Sequence, residues 1–271
     1  MNRLGSMVFW TFCGAVCAFL IGPVLVVIPL SFNPEPYFSF TRQMVTLDPA
    51  GWSLRWYREI ALNPQWQLAF RNSLIIAAVV TPAATLLGTL AAFGLRRLPV
   101  RHKGTVAIVL SSPLIVPIII FATGSYLFLA PLGLTQTFTG IILAHTALAA
   151  PYVVVTVGGA LATFDDRLLR AASILGSHPL AAFCKVTVPL MAPGIIAGAL
   201  FAFITSFDEA VVALFLAGYD QRTVPLQMWS GMRDQLSPAV LAAATLLIVL
   251  VATAMLVIAI VRSKISPTRP R

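Results

Sequence analysis

Ser206-Phe207-Asp208-Glu209 sets two adjacent carboxylates inside an otherwise apolar run. A charge at the centre of a bilayer costs about 3 kcal/mol or more, so intramembrane acids face a pathway or a partner. Neighbours on a helix project about 100° apart, and at most one of the two faces a lumen squarely. The reading adopted here turns Asp208 toward a solute pathway, beside Ser206 and Phe207, with Glu209 bonding a neighbouring helix. The competing reading is structural: the acids pair with Arg222 or Arg233, or cap a broken helix end near Gly218.

A second group of polar residues stands out at 164–189, FDDRLLRAASILGSHPLAAFCKVTVP, between long apolar runs. Asp165 and Asp166 open a helix, because acidic residues there complement the positive end of the helix dipole. Arg167 and Arg170 follow, and Ala171, Ala172 and Leu175 give that helix a small, partly apolar face. Gly176 stops it. Ser177 is expected to cap a second short helix from about 179 to 186, and Pro189 to start the next long one. Two short helices joined at a glycine make a knob that a neighbouring surface can approach closely. An amphipathic loop lying on the membrane is the plainer alternative.

Other chemistry is missing. The sequence has no His-Glu-x-x-His run, no Gly-x-Ser-x-Gly elbow, no Cys/His cluster for a metal and no Gly-x-x-x-x-Gly-Lys phosphate loop. The chain therefore reads as non-catalytic, binding neither metal nor cofactor itself. His145, alone in an apolar run, reads as a hydrogen-bonded packing element, and His102 and His178 as loop residues. Cys13, Cys17 and Cys184 read as small apolar residues. Gly194 and Gly198 read as a helix-packing pair. Pro113, Pro117, Pro151 and Pro193 interrupt their helices, freeing carbonyls that in transporters often line a cavity.

The elements that must hold these residues follow from composition. Hydrophobic residues make up 59% of the 271 and charged residues 10%, where a soluble domain carries roughly 25% charged. Charge-free stretches at 4–34, 72–95, 104–164, 187–207 and 235–261 each suit a span of about 20 residues. The longest holds two, divided at Pro131-Leu132-Gly133. The sequence thus predicts an all-α integral membrane protein: one domain, 1–271, with six transmembrane helices at 7–31, 70–95, 105–130, 136–162, 188–217 and 239–262. The first run is longer than a signal-peptide core and reads as a retained helix. A long outer segment, 32–68, carries Trp52, Trp56, Tyr57 and Trp66. These aromatics favour the membrane interface, with an amphipathic helix near 54–62 lying along it. The tail, 263–271, is basic and reads as cytoplasmic and disordered.

Lys and Arg set the orientation. With the N-terminus inside, inner loops collect twelve and outer loops six, as the positive-inside rule requires; both termini then face the cytoplasm. The net charge of +9 fits topology and anionic lipid. Its scattered cations do not form a nucleic-acid face.

From about 31 to 260 the chain resembles a permease of the spermidine/putrescine branch of binding-protein-dependent ABC importers, of the type I kind. The matching pieces, in order, are Ser31-Phe32-Asn33, Trp56-Tyr57, Asn72-Ser73-Leu74, Ala144-His145 with Pro151-Tyr152, Ala171-Ala172 with Leu175-Gly176, Val188-Pro189-Leu190 with Pro193-Gly194, Ser206-Phe207-Asp208-Glu209 and Pro225-Leu226. The resemblance implies that 164–189 is a cytoplasmic coupling loop docking into a partner ATPase. It also implies a second homologous permease, two ATPase subunits that bind ATP and Mg, an external solute-binding protein, an inner-membrane location and a polyamine-like solute. Related branches carry other organic solutes or ferric iron, and a stand-alone carrier or channel would not need the knob. One residue departs from the pattern. The family's loop usually has Glu before the two alanines, where this chain has Arg170, which leaves that contact to a compensating partner residue or to Asp165, Asp166 and Arg167.

Overall fold

Prolines and charges decide where each long helix begins and ends. The computed structural model describes residues 3–234 and 237–265, and no strand occurs among them. Five helices are long and apolar enough to cross a membrane: Gly5–Leu30, Pro64–Arg97, Phe138–Ala162, Pro179–Asp208 and Ala239–Val257. A sixth span exists if the pair Val100–Ile115 and Ile118–Leu132, bent by 101°, is counted as one.

That bend corrects the single helix expected at 105–130. Pro117 disfavours helical geometry at the residue before it, and Val116 takes φ −69°, ψ 132°. Helix α5 (Val100–Ile115) therefore stops there and α6 (Ile118–Leu129) restarts behind Pro117. The predicted break at Pro131-Leu132-Gly133 is present: a 3₁₀ turn, Ala130–Leu132, ends at Gly133 with φ +67°.

The described residues divide into two compact units, one within Met1–Gln67 and Met228–Leu250, the other within Leu68–Gln227 and Val251–Arg271. The first contains α1 (Arg3–Leu30), α2 (Arg42–Val45) and α3 (Arg55–Leu62). The segment that follows α1 is organised by Asn33. The amide of Asn33 donates to the carbonyls of Tyr37 (2.9 Å) and Ser39 (2.7 Å), and its carbonyl oxygen accepts from the Glu35 N–H. Trp56 Nε1 donates to the Asn33 backbone carbonyl at 2.7 Å, and the Ser31 and Tyr57 hydroxyls bond at 2.6 Å. Trp56 and Trp66 are buried, packed inside protein, and the helix expected near 54–62 is present as α3. By contrast, α1 is exposed along almost its whole length.

The second unit is built round α7 (Phe138–Ala162). Ile141, Ala149, Val153 and Val157 on it are fully buried, and they pack with Ile76, Val80 and Ala84 of α4 (Pro64–Arg97) and Ala202 of α10 (Val188–Asp208). Without a hydrophobic drive inside lipid, such contacts depend on close fit. A Cβ added at Gly88 would come within 2.5 Å of Val153 Cβ, and one at Gly194 within 2.6 Å of Ala160 Cβ. The expected packing role of Gly194 and Gly198 is met in this way.

Two further boundaries differ from expectation. The fifth span starts at Pro179, not 188: α9 (Pro179–Ala182) runs through a π-helical turn, Phe183–Thr187, directly into α10. A proline within a helix frees the carbonyl four residues before it. The π turn absorbs that defect ahead of Pro189 and lets the helix continue. The same span breaks after Asp208, and α11 (Val211–Leu216) follows as a separate segment. Helix α12 (Val224–Asp234) and α13 (Ala239–Ile265) complete the chain. Residues 263–265 of the expected tail are helical, and 266–271 lie outside the described residues.

Candidate functional site

Two places carry the residues singled out above, and both lie in the second unit. The first is the knob. Helix α8 (Arg167–Ile174) begins after Asp166. Asp165 Oδ1 accepts from the Arg167 N–H at 2.9 Å, closing the turn before it. Gly176 has φ +77°, a conformation open to glycine at little cost, and the amides of Gly176 and Ser177 return to the carbonyls of Ser173 and Ala172. The glycine stop is thus as expected. The cap of the next helix is not Ser177 but His178, whose Nδ1 accepts from the Leu180 N–H at 3.3 Å.

The knob's anchor is a residue that sequence reasoning counted only as a positive charge. Arg96, at the end of α4, pairs with Asp166 Oδ2 at 2.9 Å, donates to the Phe164 carbonyl at 3.2 Å and lies over the Phe164 ring at 5.2 Å. Behind it Phe93 meets Phe183 edge-on at 5.1 Å. Asp166 is thus tied back to α4 although it stays exposed, like Arg167, Arg170, Ala171 and Pro189, while Ala172 and Ser177 are half-buried. Ile174 and Leu175 are 85% and 86% exposed at the tip. Large apolar side chains beside guanidinium groups make a surface suited to a protein partner.

The second place is the break in the fifth span. Asp208 ends α10 and is exposed, with no hydrogen bond or ion pair among the described residues; Glu209 is half-buried. The Glu209 carboxylate accepts from the N–H groups of Val211 (2.7 Å) and Val212 (2.9 Å). It caps α11, satisfying two amides that a helix start leaves orphaned. Arg222 is turned to Gln227 Oε1 at 3.0 Å. The acids thus separate: one serves the backbone, and the other has no partner among the described residues.

Just before the break, Ser206 and Phe207 are buried, and Ser206 Oγ meets His145 Nδ1 of α7 at 3.3 Å. His145 is fully buried with Nε2 unpartnered. The loop beyond α11 is tied to α4: Asn72 Nδ2 donates to the carbonyls of Asp220 (2.7 Å) and Arg222 (3.0 Å), and Ser73 Oγ accepts from the Val224 N–H. No group of three or more metal-ligating side chains occurs among the described residues.

With this geometry in hand, known proteins can be compared. The family model for the binding-protein-dependent transport system inner membrane component matches residues 3–267. The chain is 32% identical over 239 residues to the spermidine/putrescine transport system permease protein PotC of Haemophilus influenzae, covering 88% of this chain and 90% of that protein. It is 35% identical over 240 residues to the putrescine transport system permease protein PotI of Escherichia coli, covering 85% and 82%. Among solved structures, a chain of a bacterial ABC transporter involved in importing the acidic polysaccharide alginate superposes with TM-score 0.70. It is 15% identical and covers 97% of this chain and 96% of that one. The inward-facing MetNI methionine ABC transporter gives TM-score 0.62 at 19% identity, covering 76% and 99%. These two likenesses speak to the fold.

Proposed function

Since the chain belongs to the family of binding-protein-dependent transport system inner membrane components, we propose that it is the permease subunit of an ATP-driven importer for a polyamine of the spermidine or putrescine kind. The observation that carries this reading is the pair of polyamine permeases, each more than 30% identical over at least 85% of the chain. Asp208 supports it independently: an exposed carboxylate at a broken span, with no partner among the described residues, is suited to a cationic solute. Ser206 and Phe207, expected beside the pathway, are instead buried, Ser206 against His145, and Glu209 holds the break in shape.

In this reading the chain itself binds no cofactor. A partner ATPase pair binds ATP and Mg, grasps the knob from Asp165 to Pro189, and shifts the spans between two states. An external solute-binding protein delivers the solute, and a second homologous permease completes the path. Both termini and the knob face the cytoplasm, consistent with twelve inner against six outer cations. Asp166 is already engaged by Arg96, so the ATPase meets Arg167, Arg170 and the apolar tip, where the usual Glu is absent.

The test is ATP hydrolysis by the reconstituted complex, with its binding protein, across amines, amino acids and ferric iron. Stimulation by a polyamine is the expected result. Stimulation only by another solute would overturn the substrate, and failure to assemble with any ATPase would overturn the permease role.

A further inference from the structure

At the junction of α4 and α5, residues 96–103 gather Arg96, Arg97, Arg101 and Lys103, yet no carboxylate occurs between Glu59 and Asp165. Asp166 neutralises Arg96, and Arg101 is turned to His102. Among the described residues Lys103 has no ion pair. Beside it opens a cavity of about 310 Å³ lined by Leu95, Arg96, Lys103, Val154, Gly158 and Leu161.

The lining is graded along the helices. Arg96 lies at the end of α4, Lys103 in the first turn of α5 and Leu161 at the end of α7. Val154 lies eight residues before Ala162, about 12 Å along the helix, toward the middle of the span. A Cβ at Gly158 would meet nothing within 4 Å, so the wall is open there. The cavity therefore has a cationic mouth at the helix ends and an apolar limb at membrane depth.

Few ligands match both halves. A polyamine would meet Lys103 and no carboxylate in the lining, and an extended peptide would leave backbone groups unsatisfied at that depth. Free phosphate would use the mouth and leave the apolar limb empty. We propose that this groove binds an anionic phospholipid, its phosphate between Lys103 and Arg96 and the start of one acyl chain along Leu95, Val154 and Leu161. Basic pockets between membrane helices hold such headgroups by the same physics. Arg96 also anchors the knob, so the lipid sits against the residue that fixes the start of that segment.

The test is native mass spectrometry of the whole purified complex titrated with phosphatidylglycerol, phosphatidylcholine or inorganic phosphate. Binding is read without ATP or solute, so it fails or succeeds separately from the transport reading. Wild type should retain phosphatidylglycerol in preference to phosphatidylcholine, and inorganic phosphate should not displace it. Lys103→Gln should weaken retention about fivefold. Gly158→Leu, which fills the limb without a backbone clash, should weaken it comparably in an intact complex. Equal retention of both lipids, no effect of either variant, or displacement by inorganic phosphate would overturn the proposal. Binding by the isolated chain but not by the complex would also overturn it, marking the groove as a subunit interface.

Discussion

Replacing Arg96 with alanine should release the start of the knob from the membrane helices. The guanidinium makes three contacts, and each has a size. The ion pair to Asp166 joins side chains 27% and 60% exposed, which limits it to about 0.5 kcal/mol through solvent screening. The bond to the Phe164 carbonyl contributes about 1 kcal/mol, and the contact over the Phe164 ring about 0.5 kcal/mol. Their loss, about 2 kcal/mol together, raises the fraction of time the segment is detached roughly 30-fold. Hydrogen exchange in the purified complex measures this directly. Amides of residues 164–175 should exchange faster by that factor, while amides of α7 around residues 148–157 keep their protection. Arg96→Lys should fall between, since it keeps the charge and loses the planar fork. Unchanged exchange at 164–175 in Arg96→Ala would refute the anchoring role.

Three further outcomes are expected. Asp208→Asn should lower polyamine affinity during uptake roughly tenfold or more, a charge-assisted contact being worth ~1.5–3 kcal/mol, with assembly intact because the side chain has no partner among the described residues; undiminished uptake would favour a structural role. Glu209→Ala should destabilise the complex by about 1–2 kcal/mol through loss of the α11 cap, whereas Glu209→Gln, which keeps an acceptor, should retain most of the melting temperature. Equal losses in the two variants would show that the cap is not what Glu209 supplies. Gly176→Glu should strain the turn by about 1–2 kcal/mol, the cost of a left-handed backbone for a residue with a side chain, and uncouple ATP hydrolysis from uptake; full transport by this variant would remove the knob from the mechanism.

The spans were legible because lipid tolerates few charges, so gaps between charges report helices directly. The glycine stop at 176 and the turn at Gly133 were legible for a similar reason: each is a local backbone requirement. Angles and pairings were not. Pro113 and Pro117 both signal an interruption, yet Pro113 lies inside α5 and only Pro117 ends it, and nothing in the sequence says that the chain turns by 101° there. Pro189 looks like a helix start, and only the preceding π turn lets the helix run through it. Arg96 and Asp166 are seventy positions apart with many cations to choose among, so their pairing needed the packing of α4 beside the knob. The Asp208-Glu209 pair was conspicuous as charge in lipid. Which acid is free and which is a cap follows from the break after Asp208, and an apolar run does not announce where it breaks. For Trp56 the residue type gives an average preference for interfaces, while the bond of its N–H to the Asn33 carbonyl follows only from packing.

In the proposed function an ATPase drives this permease through the tip of the knob. Leu175, 86% exposed beside Gly176, offers the most direct test. A photo-crosslinking amino acid placed there in the intact complex should capture an ATPase subunit, and capture should change when ATP is bound. Crosslinks to lipid alone, or none to an ATPase in an assembled and active complex, would contradict the account.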